Sequence, residues 1–382
     1  MPQAPCIQYL RDFVAIPSVN PMGRGDLPAE IAGERRYAEH VRERLRGLGL
    51  DAEIFGDPDR PSVVAEARVS GARDTLLIAS HLDTVPVDHM EIDPFDPVIR
   101  DGRLYGRGSC DTKAGMATAL EALERVTRNG TLRRNVILVG ESDEELGSIG
   151  ARDTLRQLTD RGVDWAIATE PTELRIVTHH KGIAIARLVA SGRAGHSSAP
   201  ERGRNAIYAL AGAVRALEAL HAELAERADP VLGSPTLSVG VVGGGAAPNI
   251  IPEEAWLLAD RRLVPGDTEQ SIRAEIESAL ARHGVEGVRL ERCTLEKGPL
   301  ATPEDHVSVQ QLRAALLAQG LPAEIGNVAF GTDAGVFADA GLRGVVFGPG
   351  SIDRAHTARE YVELDQVEAA TEVWVRLFEA SE

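Results

Sequence analysis

The sequence predicts an α/β protein in which one α/β domain is interrupted by a smaller α+β domain. Three observations carry this. Apolar runs at 76–80, 136–140 and 165–169 each lead straight into a histidine or a carboxylate, as buried strands do at the ligand-binding edge of an open sheet. Near residue 178 the rhythm changes to strand, long helix, two strands, helix, strand. That βαββαβ order suits a ferredoxin-like insert of about 115 residues. After residue 295 the α/β rhythm resumes, so the expected domains are 1–177 with 294–382, and 178–293.

Taken in order, residues 7–13 read as a helix that stops before Pro17. Residues 30–48 read as an amphipathic helix closed by Gly47 and Gly49. Strands at 52–55 and 62–67 lead to the apolar strand that ends at His81. His81 and Asp83, two apart, face one side together, and an imidazole held by a carboxylate is the usual presentation of a metal-ligating histidine. Alone, such a pair is more often a polar strand end; its company further along the chain is what singles it out. After a loop comes Asp111, then a helix from Thr112 with Met116, Leu120, Leu123 and Val126 on one face. The strand at 136–140 runs into Glu141-Ser142-Asp143-Glu144-Glu145, and the strand at 165–169 ends at Glu170.

The insert comprises a strand at 183–190, a helix at 204–226, strands at 236–242 and 254–263, a helix at 268–283 and a strand at 287–292. Beyond it lie helices at 307–318 and around Val336, a strand at 344–348, His356, and a last helix at 363–379.

Composition narrows the function. With 58 acidic against 41 basic side chains, the net charge of −17 argues against nucleic acid or an anionic membrane as partner, and suits metal or cationic ligands. Three scattered cysteines without a Cys-x-x-Cys pair predict reduced thiols and a cytoplasmic location. The first residues show no signal-peptide pattern, and no apolar run approaches the roughly 20 residues of a membrane span.

His81, Asp83, Asp111, Glu144, Glu145, Glu170 and His356 all sit where strands of the larger domain end. Two histidines and several carboxylates without a thiolate suit one or two divalent ions of the zinc, cobalt or manganese kind. A pair of ions about 3.5–4 Å apart needs a bridging carboxylate. Adjacent Glu144 and Glu145 can divide the work, one ligating metal and the other serving as general base.

These residues lie in ordered motifs: Ser80-His81-Leu82-Asp83-Thr84-Val85-Pro86, Gly106-Arg107-Gly108-Ser109-Cys110-Asp111-Thr112-Lys113, Glu141 to Ser148, Ala168-Thr169-Glu170-Pro171-Thr172, Ala194-Gly195-His196-Ser197-Ser198, Pro248-Asn249-Ile250-Ile251-Pro252 and Gly348-Pro349-Gly350-Ser351. Through them the chain resembles, over nearly its whole length, the M20-type metallohydrolases, the group of acetylornithine deacetylase, succinyl-diaminopimelate desuccinylase and glutamate carboxypeptidase. The resemblance implies a di-metal hydrolase domain with an inserted dimerisation domain. It implies two divalent ions, zinc with cobalt or manganese able to substitute. Asp111 would bridge them, His81 and Glu170 would complete one site, and Glu145 and His356 the other. Glu144 would be the general base, and Asp83 would orient His81. His196 would reach the partner subunit's site in a homodimer and hold the scissile carbonyl oxygen. Asn249, Arg262, Gly331, Thr332 and Ser351 would contact substrate, with Arg262 as carboxylate clamp because its bidentate fork suits that group.

Blander roles compete. His196 could cap the helix that follows, and Arg261, pointing the other way from Arg262, is expected to pair on the surface. His89, His179, His180 and His306 match no ligand position, and Cys110 reads as a small packed residue. A rival fold-level reading takes Gly331-Thr332-Asp333-Ala334-Gly335 as the nucleophile elbow of an α/β-hydrolase with Asp333 attacking and His356 downstream. It leaves the carboxylates unexplained. Within the resemblance, the expected reaction is amide hydrolysis of an N-acyl amino acid, most like acetylornithine. A succinylated diamine or a glutamate-terminated peptide is the alternative.

Overall fold

Four parallel strands form the centre of the larger sheet, in the order Asn135–Glu141, Thr75–His81, Trp165–Ala168, Gly344–Val346. Antiparallel strands flank them: Pro61–Ala67 and then Ala52–Gly56 on one side, and Ile176–His180 on the other. The sheet is therefore mixed. The computed structural model describes residues 3–380, which divide into two units. One comprises the chain up to Thr178, Thr302–Gly326 and the chain from Thr332; the other comprises His179–Ala301 and Asn327–Gly331.

In the larger unit, alternate residues of each strand serve opposite faces. Leu76 and Ile78 join a core with the helices Pro5–Val14, Arg35–Gly47, Lys113–Asn129, Val307–Ala318 and Leu364–Glu379. Leu77 and Ala79 join a smaller core with Ile149–Gln157 and Asp333–Asp339. Two-sided cover explains the unbroken apolar runs. The helix Lys113–Asn129 is buried all round from Lys113 to Leu123, beyond the single face its spacing predicts, and ends at Gly130 in the left-handed region at φ 66°.

The second helix starts at Arg35, five residues later than expected. Gly33 stands at φ 75° and Val19 bridges Ala32, so the chain there is committed to a turn. A small sheet absent from the sequence reading, in the order Tyr361–Glu363, Arg103–Tyr105, Val98–Arg100, ties the C-terminal segment to the chain just before Asp111.

The smaller unit is an antiparallel sheet in the order Thr236–Gly244, Glu254–Leu263, Gly182–Ser191, Val288–Lys297, with the helices Ala206–Leu224 and Glu269–Arg282 packed on one face. This is ferredoxin-like connectivity. Its last strand runs past the expected end at 292, because Leu295 and Lys297 still pair with Ala184 and Ile183. Residues 327–331 also join this unit, Gly331 lying against Lys181 and Ile183. Arg261 departs from the surface role expected of it. It is fully buried and ion-paired with Asp267 and Glu275, each at 3.2 Å.

Candidate metal centre

The parallel strands deliver their polar residues to one edge. His81 closes Thr75–His81, Glu144 and Glu145 lie three and four residues beyond Asn135–Glu141, and Glu170 lies two residues beyond Trp165–Ala168. Asp111 arrives on the loop that precedes the helix Lys113–Asn129, and its peptide bond to Thr112 is cis. His356 arrives after Gly344–Val346 on a turn where its own φ is 58°. Neighbouring parallel strands end side by side at their carboxyl edge, so the side chains that follow them meet in one crevice.

Asp111 is the hub. One carboxylate oxygen lies 2.9 Å from His81 Nε2 and the other 3.2 Å from His356 Nε2. Glu170 lies 3.8 Å from His81 Nε2, and Glu145 lies 3.2 Å from His356 Nε2. Ligand atoms of His81, Asp111 and Glu145 fall within 4.8 Å of one another, and so do those of His81, Glu144 and Glu170. All are buried or nearly so except the His356 side chain, which is 50% exposed.

The electrostatics call for positive charge. Burial opposes protonation of His81, but the hydrogen bond to Asp111 and the surrounding carboxylates override it and hold the imidazole well above its ordinary range. Hydrogen bonds to Asp111 and Glu145 push His356 up to about 11. Burial would raise Asp111, yet its hydrogen bonds from His356 and His81 hold it far below the usual carboxylate range. Protons on two imidazoles thus stand where cations would serve better. Imidazole and carboxylate donors without sulfur suit zinc, cobalt or manganese.

Asp83 acts differently from the expectation. His81 Nδ1 donates to the Asp83 backbone carbonyl at 2.9 Å, while the carboxylate stands 3.7 Å from that nitrogen. The carboxylate is taken by other donors: Glu144 N at 3.0 Å, Glu145 N at 3.1 Å and Asn20 Nδ2 at 2.8 Å. Asp83 therefore fixes the backbone of both glutamates. Behind it Asn20 also reaches Asp143, which pairs with Arg60 at 2.5 Å, and Arg60 in turn pairs with buried Glu34. Asn20, Arg60 and Glu34 carried no sequence signal, being lone polar residues in segments without a motif.

In the smaller unit His196 pairs with Ile250, and Ser197 N donates to Asn249 O at 3.1 Å, so His196 and Asn249 share one exposed corner. His196 Nδ1 is engaged by Ser198. Arg262 lies towards the opposite end of the strand Glu254–Leu263, partly exposed and paired with Asp260 at 2.9 Å. Ser351 lies beside the loop that carries Asp111, its carbonyl accepting from Cys110 Sγ at 3.3 Å. Thr332 departs from a substrate-facing role: it is 1% exposed, and its hydroxyl caps the helix Asp333–Asp339 through Ala334 N. Asp333 is likewise buried, facing Glu141, whose carboxyl is driven well above its ordinary range by burial and by the Asp333 charge. An attacking Asp333 would need an open face that this position does not have.

The model of peptidase family M20/M25/M40 matches residues 77–380. The chain belongs to this family. It is 32% identical to the acetylornithine deacetylase of Myxococcus xanthus across 86% of this chain and 87% of that protein. It is 33% identical to the acetylornithine deacetylase of Klebsiella pneumoniae across 94% and 93%. An M20 family metallo-carboxypeptidase from Sulfolobus solfataricus superposes with a TM-score of 0.81 at 22% identity, covering 99% of both chains. A dinuclear metal binding M20 peptidase from Bacillus subtilis superposes with a TM-score of 0.69 at 15% identity, across 98% and 96%. The family and its mixed α/β fold make the protein a hydrolase. Among the described residues no helix is long and apolar enough to cross a membrane.

Proposed function

We propose that this protein hydrolyses the amide bond of an N-acyl amino acid, with N-acetylornithine as the leading substrate, at a centre of two divalent ions. The observation that carries the reading is Asp111, whose two oxygens each face a different histidine-carboxylate group. His81 and Glu170 would hold one ion, Glu145 and His356 the other, and Asp111 both. Such ions, when bound, polarise a carbonyl and acidify a water. Glu144, its backbone pinned by Asp83, takes the proton from the attacking water and returns it to the departing amine. The acetylornithine deacetylases among the relatives support the acyl amino acid, and the dinuclear Bacillus peptidase supports the pair of ions. Zinc is the first ion to test, with cobalt or manganese as substitutes.

The site is shared between two chains in this reading. His196 and Asn249 adjoin the Glu254 end of one strand and Arg262 lies near its other end, eight residues on. At about 3.3 Å per residue that is about 26 Å, far longer than an N-acyl amino acid. One substrate held by all three must draw them from different copies, related by a two-fold axis. Val241, Val242, Ile207, Tyr208 and Ile250 leave an exposed apolar surface on this unit, on and near its edge strand, for such a copy to cover.

The test is metal removal and reconstitution. Protein stripped by a chelator should release no amine from N-acetylornithine, N-succinyl-diaminopimelate or acylated glutamate. Adding zinc, cobalt or manganese should restore release from at least the first. Undiminished turnover without metal, or none on the panel with two ions bound, overturns the reading.

A further inference from the structure

Glu360 is completely buried and lies four residues after His356. One of its carboxylate oxygens accepts from the backbone N–H of Cys110 at 2.9 Å and from that of Asp111 itself at 3.0 Å. The other accepts from Arg107 Nη1 at 2.6 Å, and Arg107 is 4% exposed. The same residue's carbonyl accepts from Gly106 N at 3.1 Å, and beyond it Tyr361–Glu363 pairs with Arg103–Tyr105. Thus the chain that has just left His356 is fastened to the chain about to present Asp111. At the Asp111 end the fastening is one carboxylate.

Geometry explains why a side chain is needed here. Regular pairing stops at Tyr361 opposite Tyr105, so the amides of Cys110 and Asp111 lie outside any ladder. Buried amides of this kind require an acceptor. A carboxylate supplies one that accepts two N–H groups at once and is strengthened by its charge. His356 stands in the left-handed region, where a residue with a side chain persists only if its surroundings hold it.

We propose that Glu360 is a positioning residue that sets Asp111 and His356 at the separation needed to hold one ion together with Glu145. This rests on the two-ion reading of the centre. Glu360 touches none of the ligand atoms; it acts through the backbone of Asp111 and through the segment that bears His356. The consequence is asymmetric. The ion at His81 and Glu170 would keep two of its three ligands at the ends of parallel strands that Glu360 does not contact, whereas the ion at Glu145 would have both of its other ligands, Asp111 and His356, on segments that the clamp holds.

The experiment titrates metal-free wild type, Glu360→Gln, Glu360→Asp and Glu360→Ala with zinc against a chromophoric chelator, alongside thermal melts of the metal-free proteins. Wild type should take up two ions. The second should weaken about 10- to 100-fold, the usual consequence of losing a residue that supports a ligand, and the first, which shares only Asp111 with the clamp, should weaken less than the second in every variant. Gln retains an oxygen for the two amides and should lose least; Asp, one methylene short, should resemble Ala. At limiting zinc kcat should fall with KM unchanged, and excess zinc should recover it. If Glu360→Ala fails to fold, the Gln and Asp variants decide. Folded variants that bind both ions as wild type does would reduce Glu360 to a structural residue and overturn the proposal alone. A wild type that takes up no ion would overturn the two-ion reading and this proposal with it.

Discussion

Replacing Asp83 by Asn changes one atom and tests how Glu144, the proposed general base, is held. In the wild type one carboxylate oxygen accepts from Glu144 N, and the other accepts from Glu145 N and Asn20 Nδ2. An asparagine has one acceptor oxygen. Its better orientation keeps the two bonds to Glu145 and Asn20 and turns its NH₂ towards the amide of Glu144. That amide then loses an ionic acceptor, worth about 1.5–3 kcal/mol, and the two retained bonds weaken from ionic to neutral. The sum is about 2–4 kcal/mol. If the displaced Glu144 backbone is felt in the transition state, that is a fall of about 30- to 1000-fold in kcat, at about 1.4 kcal/mol per factor of ten. Metal content should hold, because the bond to Glu145 is retained and His81 is oriented by the Asp83 backbone carbonyl. The assay is steady-state amine release with metal analysis of the same preparation. A D83N protein within threefold of wild type in kcat, or one that loses its metal in step with its activity, would refute this account.

The two glutamates should separate. Glu144→Ala keeps near-normal metal content while losing about 10²–10⁴ in rate, and Glu145→Ala loses metal; the reverse pattern exchanges their roles. Mixing two inactive proteins, His196→Ala and Glu144→Ala, should restore activity on subunit exchange, since one site of the mixed dimer then has both groups intact; exchange without activity would place His196 in its own chain's site or in none. Glu141 is pushed up by burial and the neighbouring Asp333, so folding costs more as pH rises past the ordinary range of a carboxyl. Glu141→Gln should therefore gain stability relative to wild type between pH 5 and pH 8 in urea melts, and an advantage that shrinks with rising pH would contradict it.

What could be read in the chain before folding follows from how each residue is held. His81, Glu144, Glu145 and Glu170 belong to local patterns, an apolar strand and the polar residue that ends it, so periodicity alone placed them at one sheet edge. Asp111 and His356 lie in loops whose course depends on contacts 250 and 249 residues away in sequence, through Glu360. The sequence reading expects them at strand ends with the others, and the resemblance to known motifs is what gives each its place among the ligands. Thr332 misled because a Gly-Thr-Asp string is equally a helix start, and in this fold the cap wins. Arg261 and Arg262 are told apart by strand alternation, but the surface expected for Arg261 is not where it lies: the face turned away from Arg262 is the helix-covered one, and Asp267 and Glu275 wait there.

The supporting residues form a class that single-sequence reading misses for a physical reason. Asn20, Glu34, Arg60 and Glu360 are ordinary polar residues whose role exists only when the fold brings them against a buried amide or carboxylate. A buried charge is tolerated only where such partners meet it. The concentration of carboxylates that makes the centre suited to cations is thus what demands this second layer. Asp111 and Asp83 each take several hydrogen bonds, and Glu34 and Glu360 each meet an arginine, Arg60 and Arg107. Where a chain gathers so many acids at one sheet edge, their neighbours cannot be neutral filler. In the proposed centre, the residues that would hold the ligands in register are found by following each buried carboxylate to the groups that satisfy it.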